Sequence, residues 1–125
     1  MLINTAGGIT GGDDMRITAG VGAGAALTLT TQTAERAYRA QPGEVGQLQT
    51  KLNVAAGGHV SWLPQETILF QSCALSRRLD VDLAADATAL LVEPLVFGRL
   101  AMGETLTQGR FHDRIVLRRN GTELY

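Results

Sequence analysis

At 125 residues the chain has the length of one domain, and 45% apolar residues are enough to bury a modest core. A formal net charge of −1, with only 18% charged residues, excludes a surface built around phosphate contacts to nucleic acid. The single cysteine, Cys73, cannot form an internal disulfide, and no signal-like stretch or apolar span of roughly 18 residues occurs, so a reducing, cytoplasmic setting without membrane association is expected.

The chain opens on Asn4-Thr5-Ala6-Gly7-Gly8-Ile9-Thr10-Gly11-Gly12-Asp13. Paired glycines are costly to order and are suited to a tight, crowded loop. Neither G-x-x-x-x-G-K-[ST] nor G-x-G-x-x-G is present, so the loop is not read as a nucleotide site. Apolar and polar residues then alternate in short runs, the mark of half-buried strands. Met15–Thr18 and Ala25–Thr31 flank the turn-like Gly20–Gly24, and Leu48–Val54 and Val60–Leu63 flank Gly57-Gly58. Leu79–Leu83 and Ala87–Val92 flank Ala84–Asp86, and Ile115–Tyr125 contains Asn120-Gly121, a strong type I′ hairpin signal. Four strand–turn–strand units predict an all-β protein of stacked β-hairpins, in an irregular helical or sandwich-like arrangement. At most two short helices are expected, over Thr33–Ala40 and Val96–Met102.

Residues with reactive or ligating side chains are scattered. His59, Cys73 and His112 have no second soft or imidazole ligand at metal-motif spacing, so no metal site is assigned. His59 reads as a solvated turn residue, His112 similarly, and Cys73 as a small buried thiol. No G-x-S-x-G elbow or other nucleophile–base context is present, so the chain is not read as an enzyme. Trp62, beside Pro64, is expected in the core rather than stacked on a ligand. Leu90–Phe97 reads as a strand buried on both faces or, if exposed, as a partner groove. Ten arginines against the single Lys51 favour a protein partner, because arginine suits interfaces and bidentate carboxylate pairing.

Four blocks in register carry a family resemblance. They are Asn4 to Asp13; Thr30-Thr31-Gln32-Thr33-Ala34 with Tyr38-Arg39; Trp62 to Phe70; and Phe97-Gly98-Arg99 with Met102-Gly103-Glu104. Over Leu2 to Glu104 the chain resembles the urease accessory protein UreD family, called UreH in some organisms. The resemblance implies a mostly β fold of helically arranged strands, in a family whose members are longer at both ends. The expectation is therefore a single β domain over residues 1–125, part of a longer UreD-like domain and lacking its terminal segments.

The same resemblance implies a non-catalytic maturation factor. It would bind apo-urease together with UreF-type and UreG-type accessory proteins and help deliver nickel, with no tightly bound cofactor and at most transient nickel. Energy would come from GTP on the UreG-type partner. Gly7, Gly8, Gly11 and Gly12 would shape the loop and Asp13 would cap or pair within it. Asp13, Glu66, Glu93 and Glu104 lie in or beside the matching blocks, and Glu66 and Glu93 sit in apolar surroundings where a charge needs a partner or water. Arg39 and Arg99 are the ready ion-pair partners. Glu66, Glu93, Arg99 and Glu104 are assigned to a polar passage or a partner face. The alternative reading is a β-rich module that binds protein or carbohydrate and has no metal role.

Overall fold

Residues 1–125 are all described by the structure, a computed structural model. Three coils of three strands each stack along one axis. The first comprises β1 (Asp14–Val21), β2 (Ala26–Leu29) and β3 (Glu35–Ala37), and the second β4 (Gly46–Val54), β5 (His59–Trp62) and β6 (Thr67–Leu69). The third comprises β7 (Ala74–Leu83), β8 (Thr88–Leu91) and β9 (Leu95–Phe97), after which β10 (Arg110–Arg119) and β11 (Thr122–Glu123) complete the described chain. Equivalent strands pair in parallel, giving the sheets β1-β4-β7-β10, β2-β5-β8 and β3-β6-β9, with β11 antiparallel on β10. The chain is thus a β-solenoid with three walls, its coils separated by the usual inter-strand spacing of about 4.8 Å.

The mainly β, helically stacked architecture agrees with the alternation in the sequence, but the pairing is not that of hairpins in three of the four units. The turns at Gly20–Gly24, Gly57-Gly58 and Ala84–Asp86 are corners between two walls, and the strands flanking each corner bond to neighbouring coils rather than to each other. Only the Asn120-Gly121 unit is a hairpin. Both residues have positive φ, 48° and 76°, and Arg119 faces Thr122 across the turn. Neither expected helix forms as such. Glu35–Ala37 within Thr33–Ala40 is strand β3, bonded in parallel to β6, and Val96 lies in β9, leaving a single 3-10 turn at Leu100–Met102.

Register aligns the core into ladders along the axis. Ala19, Leu52, Val81 and Leu117 face one another in successive coils, as do Ile17, Thr50, Leu79 and Ile115. Opposite them, Val60 and Trp62 of β5 close the same cluster from the second wall. A smaller cluster of Ile9, Ala37, Leu69, Cys73 and Leu75 fills the third corner, with Cys73 buried as expected. The strand read as buried over Leu90–Phe97 is instead divided by a corner at 92–94. Leu90, Val92, Val96 and Phe97 are exposed, Leu90 on the outward phase of β8.

Candidate functional site

One inner ladder breaks the apolar pattern. Met15, Leu48, Arg77 and Asp113 share a register position on the first wall, so the row changes from apolar to ionic between the second and third coils. Arg77 is only 5% exposed at its side chain. Its Nε and Nη2 donate to the two oxygens of Asp113 at 3.1 and 2.6 Å, and Nη1 donates to Thr67 Oγ1 at 3.4 Å. This planar, two-pronged contact is the geometry that arginine makes with a carboxylate and lysine does not.

Glu93 meets this guanidinium from the corner between β8 and β9. Its side chain is 8% exposed. Oε1 accepts from Trp62 Nε1 at 2.9 Å, while Oε2 lies 3.5 Å from Arg77 Nη2 and is buried without a hydrogen bond. Trp62 therefore takes its expected core position, 3% exposed, and its indole N–H is used on a carboxylate. Nearer the start of the chain, both oxygens of Glu35 accept from Asn4 Nδ2 at 3.1 Å, and Glu35 stands one coil above Thr67 on the third wall.

A cavity of about 450 Å³ joins these groups, with Asn4, Glu35, Trp62, Thr67, Arg77 and Glu93 in its lining. The polar line therefore runs from the loop before β1, past the second coil, to β10. The charged side chains of the cavity lining are Glu35 and Glu93 with Arg16, Arg36 and Arg77, and Asp113 lies outside the lining, paired with Arg77. No group of three or more His, Cys, Asp or Glu side chains converges on one point.

The glycine loop forms one rim of this cavity through Gly7 and Gly8. Loop residue Ile9 is buried and bridges in parallel to Ala37, so the loop is seated on the first coil. Gly8 packs so closely that a Cβ would lie 2.2 Å from the Tyr38 ring and 2.9 Å from the Arg36 carbonyl oxygen. Gly11 is similarly pressed on Glu44, whereas Gly7 and Gly12 are less crowded. Asp13 closes the loop, its Oδ2 accepting from the Thr10 N–H at 2.9 Å.

Arg99 and Glu104 belong to a second, external group. Arg99 donates from Nε and Nη2 to Glu104 at 3.0 and 2.9 Å and lies 4.3 Å from the centre of the Phe70 ring. Phe70 packs edge-on against Tyr38, whose hydroxyl donates to the Gly7 carbonyl at 3.0 Å. A column of side chains thus links the glycine loop to the Arg99–Glu104 pair along one corner of the solenoid, outside the cavity lining. The hydrogen bond from Arg99 holds the Glu104 carboxyl below its ordinary range, against a smaller opposing effect of burial. Glu66 is half-buried at the corner before β6, and neither it nor Arg39 forms a salt bridge. His59 lies in strand β5, not in a turn, between Thr88 Oγ1 at 2.7 Å and Ser61 Oγ at 3.0 Å. His112 is exposed on β10.

Arg77, Asp113 and Glu35 belong to no motif and Asn4 stands out only as the first residue of the glycine block, yet two of the four carry a sequence signal. Arg77 is in phase with Leu75, Leu79, Val81 and Leu83, and Asp113 with Phe111, Ile115 and Leu117. A charge in the buried phase of a strand requires a partner.

A β-solenoid whose interior carries the buried Arg77–Glu93 ion pair beside a polar cavity defines a scaffold with a partly polar core, in which the walls fix the positions of ionic groups. The model of the UreD urease accessory protein family matches residues 1–125, and the chain belongs to that family. It is 61% identical over its full length to the urease accessory protein UreD of Ruegeria sp. (strain TM1040), of which it covers 42%. It is 54% identical over its full length to that of Ruegeria pomeroyi, covering 49%, and 55% identical over 121 residues to that of Rhodopseudomonas palustris (strain ATCC BAA-98 / CGA009), covering 43%. The chain therefore spans less than half the length of these relatives, whose names are those of accessory proteins and not of enzymes. No helix is long and apolar enough to cross a membrane.

Proposed function

We propose that the protein is a non-catalytic urease maturation factor of the cytoplasm. It docks apo-urease and the UreF-type and UreG-type accessory proteins, and it helps deliver nickel, which it carries only as cargo. The observation that carries this reading is the family match over the whole chain. The cavity that Glu35, Thr67 and Glu93 help to line would give it a physical form, because oxygen ligands hold a borderline cation weakly enough to release it. On this reading Glu93 belongs to the passage. Arg99 and Glu104, on the external column, belong to a partner face, with Glu66 at the neighbouring corner. Gly7, Gly8, Gly11, Gly12 and Asp13 keep the rim in shape.

The test is co-purification of the tagged chain from cells producing the urease subunits and the UreF-type partner. Recovery of either with the chain is expected. Recovery of neither would sink the maturation reading in favour of a β module without a metal role. Calorimetry on the isolated chain is expected to give nickel affinity no tighter than about micromolar, as dispersed oxygen ligands imply.

A further inference from the structure

We propose that the open edge of β10 receives an extended acidic segment of a partner protein, which joins the first wall as a further strand with its carboxylates opposite Arg110, His112 and Arg114. The surface is distinct from the cavity and from the Arg99–Glu104 column. β10 runs from Arg110 to Arg119, but β11 covers only Arg118 and Arg119 on the side away from β7. Backbone direction alternates along the strand. The Arg110 N–H donates to the Cys73 carbonyl and the Asn120 N–H, just past the strand, to that of Leu83, so the even-numbered residues face β7. Leu117 faces the other way, its N–H donating to Tyr125 and its carbonyl accepting from Leu124. By that alternation the N–H and C=O groups of Phe111, Asp113 and Ile115 point out of the sheet edge, a template for one more strand.

The side chains beside this template are cationic. Arg110, His112 and Arg114 share the outward phase of β10, are exposed, and follow one another at the two-residue repeat of a strand, about 6.6 Å. Neither arginine forms a salt bridge. The acids of the neighbouring strand are already committed, Asp80 to Arg78 and Arg118, and Asp82 to Arg118. Asp113 is turned to the inner face, onto Arg77, and Glu44, which shares a surface hollow with Arg110, makes no ion pair with it. Residues opposite one another in a β pair lie on the same face of the sheet. A strand laid on this edge therefore sets every second side chain beside the cationic row and the others beside the half-buried Phe111 and Ile115. The occupant selected in this way alternates Asp or Glu with apolar residues. A basic strand is repelled, and the same repulsion keeps two copies of this edge from pairing with each other.

The probe is a capped, fluorescein-labelled peptide of about seven residues, alternating Glu and Val, the length that spans Arg110 to Val116. It is titrated into the 125-residue chain and read by fluorescence anisotropy, with circular dichroism as the check of fold. Saturable binding that weakens as salt rises is expected. The double variant R110E/R114E should bind at least about tenfold more weakly, because two attractive contacts become repulsive. K51E reverses an exposed charge two strands away on the same wall and should change the affinity by less than about threefold. A peptide with Lys in place of Glu, and one of the parent composition with the alternation scrambled, should each lose at least about tenfold. Two further peptides carry N-methyl groups on alternate residues, one on each phase. The one methylated where its N–H groups face β10 should lose binding and the other should keep it, because only one phase of a strand donates to its neighbour.

Absence of saturable binding, or binding that survives R110E/R114E, would overturn the proposal and leave the row as charges that only blunt an open edge. Equal binding of the scrambled peptide, or of both N-methylated ones, would show contact by charge without an added strand and would overturn it as well. So would a single-stranded oligonucleotide that binds the row more tightly than the peptide, which would reassign it to nucleic acid. The full-length protein is expected to bind the peptide with the same dependence on Arg110 and Arg114, and an edge closed to the peptide there would show that the protein fills its own template, against the proposal. The maturation reading stands or falls separately, by co-purification.

Discussion

Glycine 8 illustrates how a single residue supports the site from outside it. Its missing side chain lets the loop lie against Tyr38 and the Arg36 carbonyl, and the loop in turn forms the cavity rim. G8A should destabilise the chain by about 1–3 kcal/mol through overpacking against backbone that cannot yield. G7A has open space, and its cost should be the smaller one of a left-handed backbone, about 1 kcal/mol. Urea denaturation of the two variants measures the difference, and equal losses would show that the loop is not pressed on Tyr38. Asp80 gives a pH-dependent counterpart. The hydrogen bond from Arg78, with a further contribution from Arg118, holds its carboxyl below the ordinary value of 3.8 despite partial burial. A lowered folded-state pKa stabilises the fold above the unfolded value and is lost as pH falls through the folded one. D80N should therefore be less stable than wild type near neutral pH, and the two melting curves should converge as pH drops below about 3.8.

At the scale of elements, alternation located most strands but did not reveal their partners. A period of two says that one face of a segment is buried; it does not say which neighbour receives its backbone hydrogen bonds. Gly20–Gly24 and Gly57-Gly58 are as suitable for a corner between walls as for a chain reversal, so both were read as hairpins. Asn120-Gly121 was legible because a type I′ turn demands positive φ at both positions. Glu35–Ala37 is too short for any period to declare itself, and its strand character comes from its pairing with β6. The site was legible in the same partial way. Glu93 stood out inside an apolar run, while Arg77 was hidden by the adjacent Arg78 although its phase marks it as inward. Stacked coils imply that the axis of the solenoid carries its stability. L79A, at a fully buried position in the central ladder, should cost about 2–5 kcal/mol. L90A, exposed on the outermost strand of its wall, should change stability by no more than about 0.5 kcal/mol. Similar losses for both would contradict a core confined to the axis.

For the whole molecule, the three walls do one thing that separate hairpins could not: they bring Glu35 of the first coil and Arg77 and Glu93 of the third to one interior cavity. Family membership supplies the setting, and this cavity supplies the mechanism proposed for it. Glu93 is the residue to test, because Gln keeps its shape and the Trp62 contact while removing its charge, and Arg77 retains Asp113 as a partner. E93Q should therefore assemble and fold nearly as wild type does. The most direct measurement is the nickel content of urease matured with E93Q in the full-length protein, with recovery of the accessory complex followed in the same cells. The account predicts urease depleted in nickel from a complex that assembles normally. Urease with its full nickel content would contradict it.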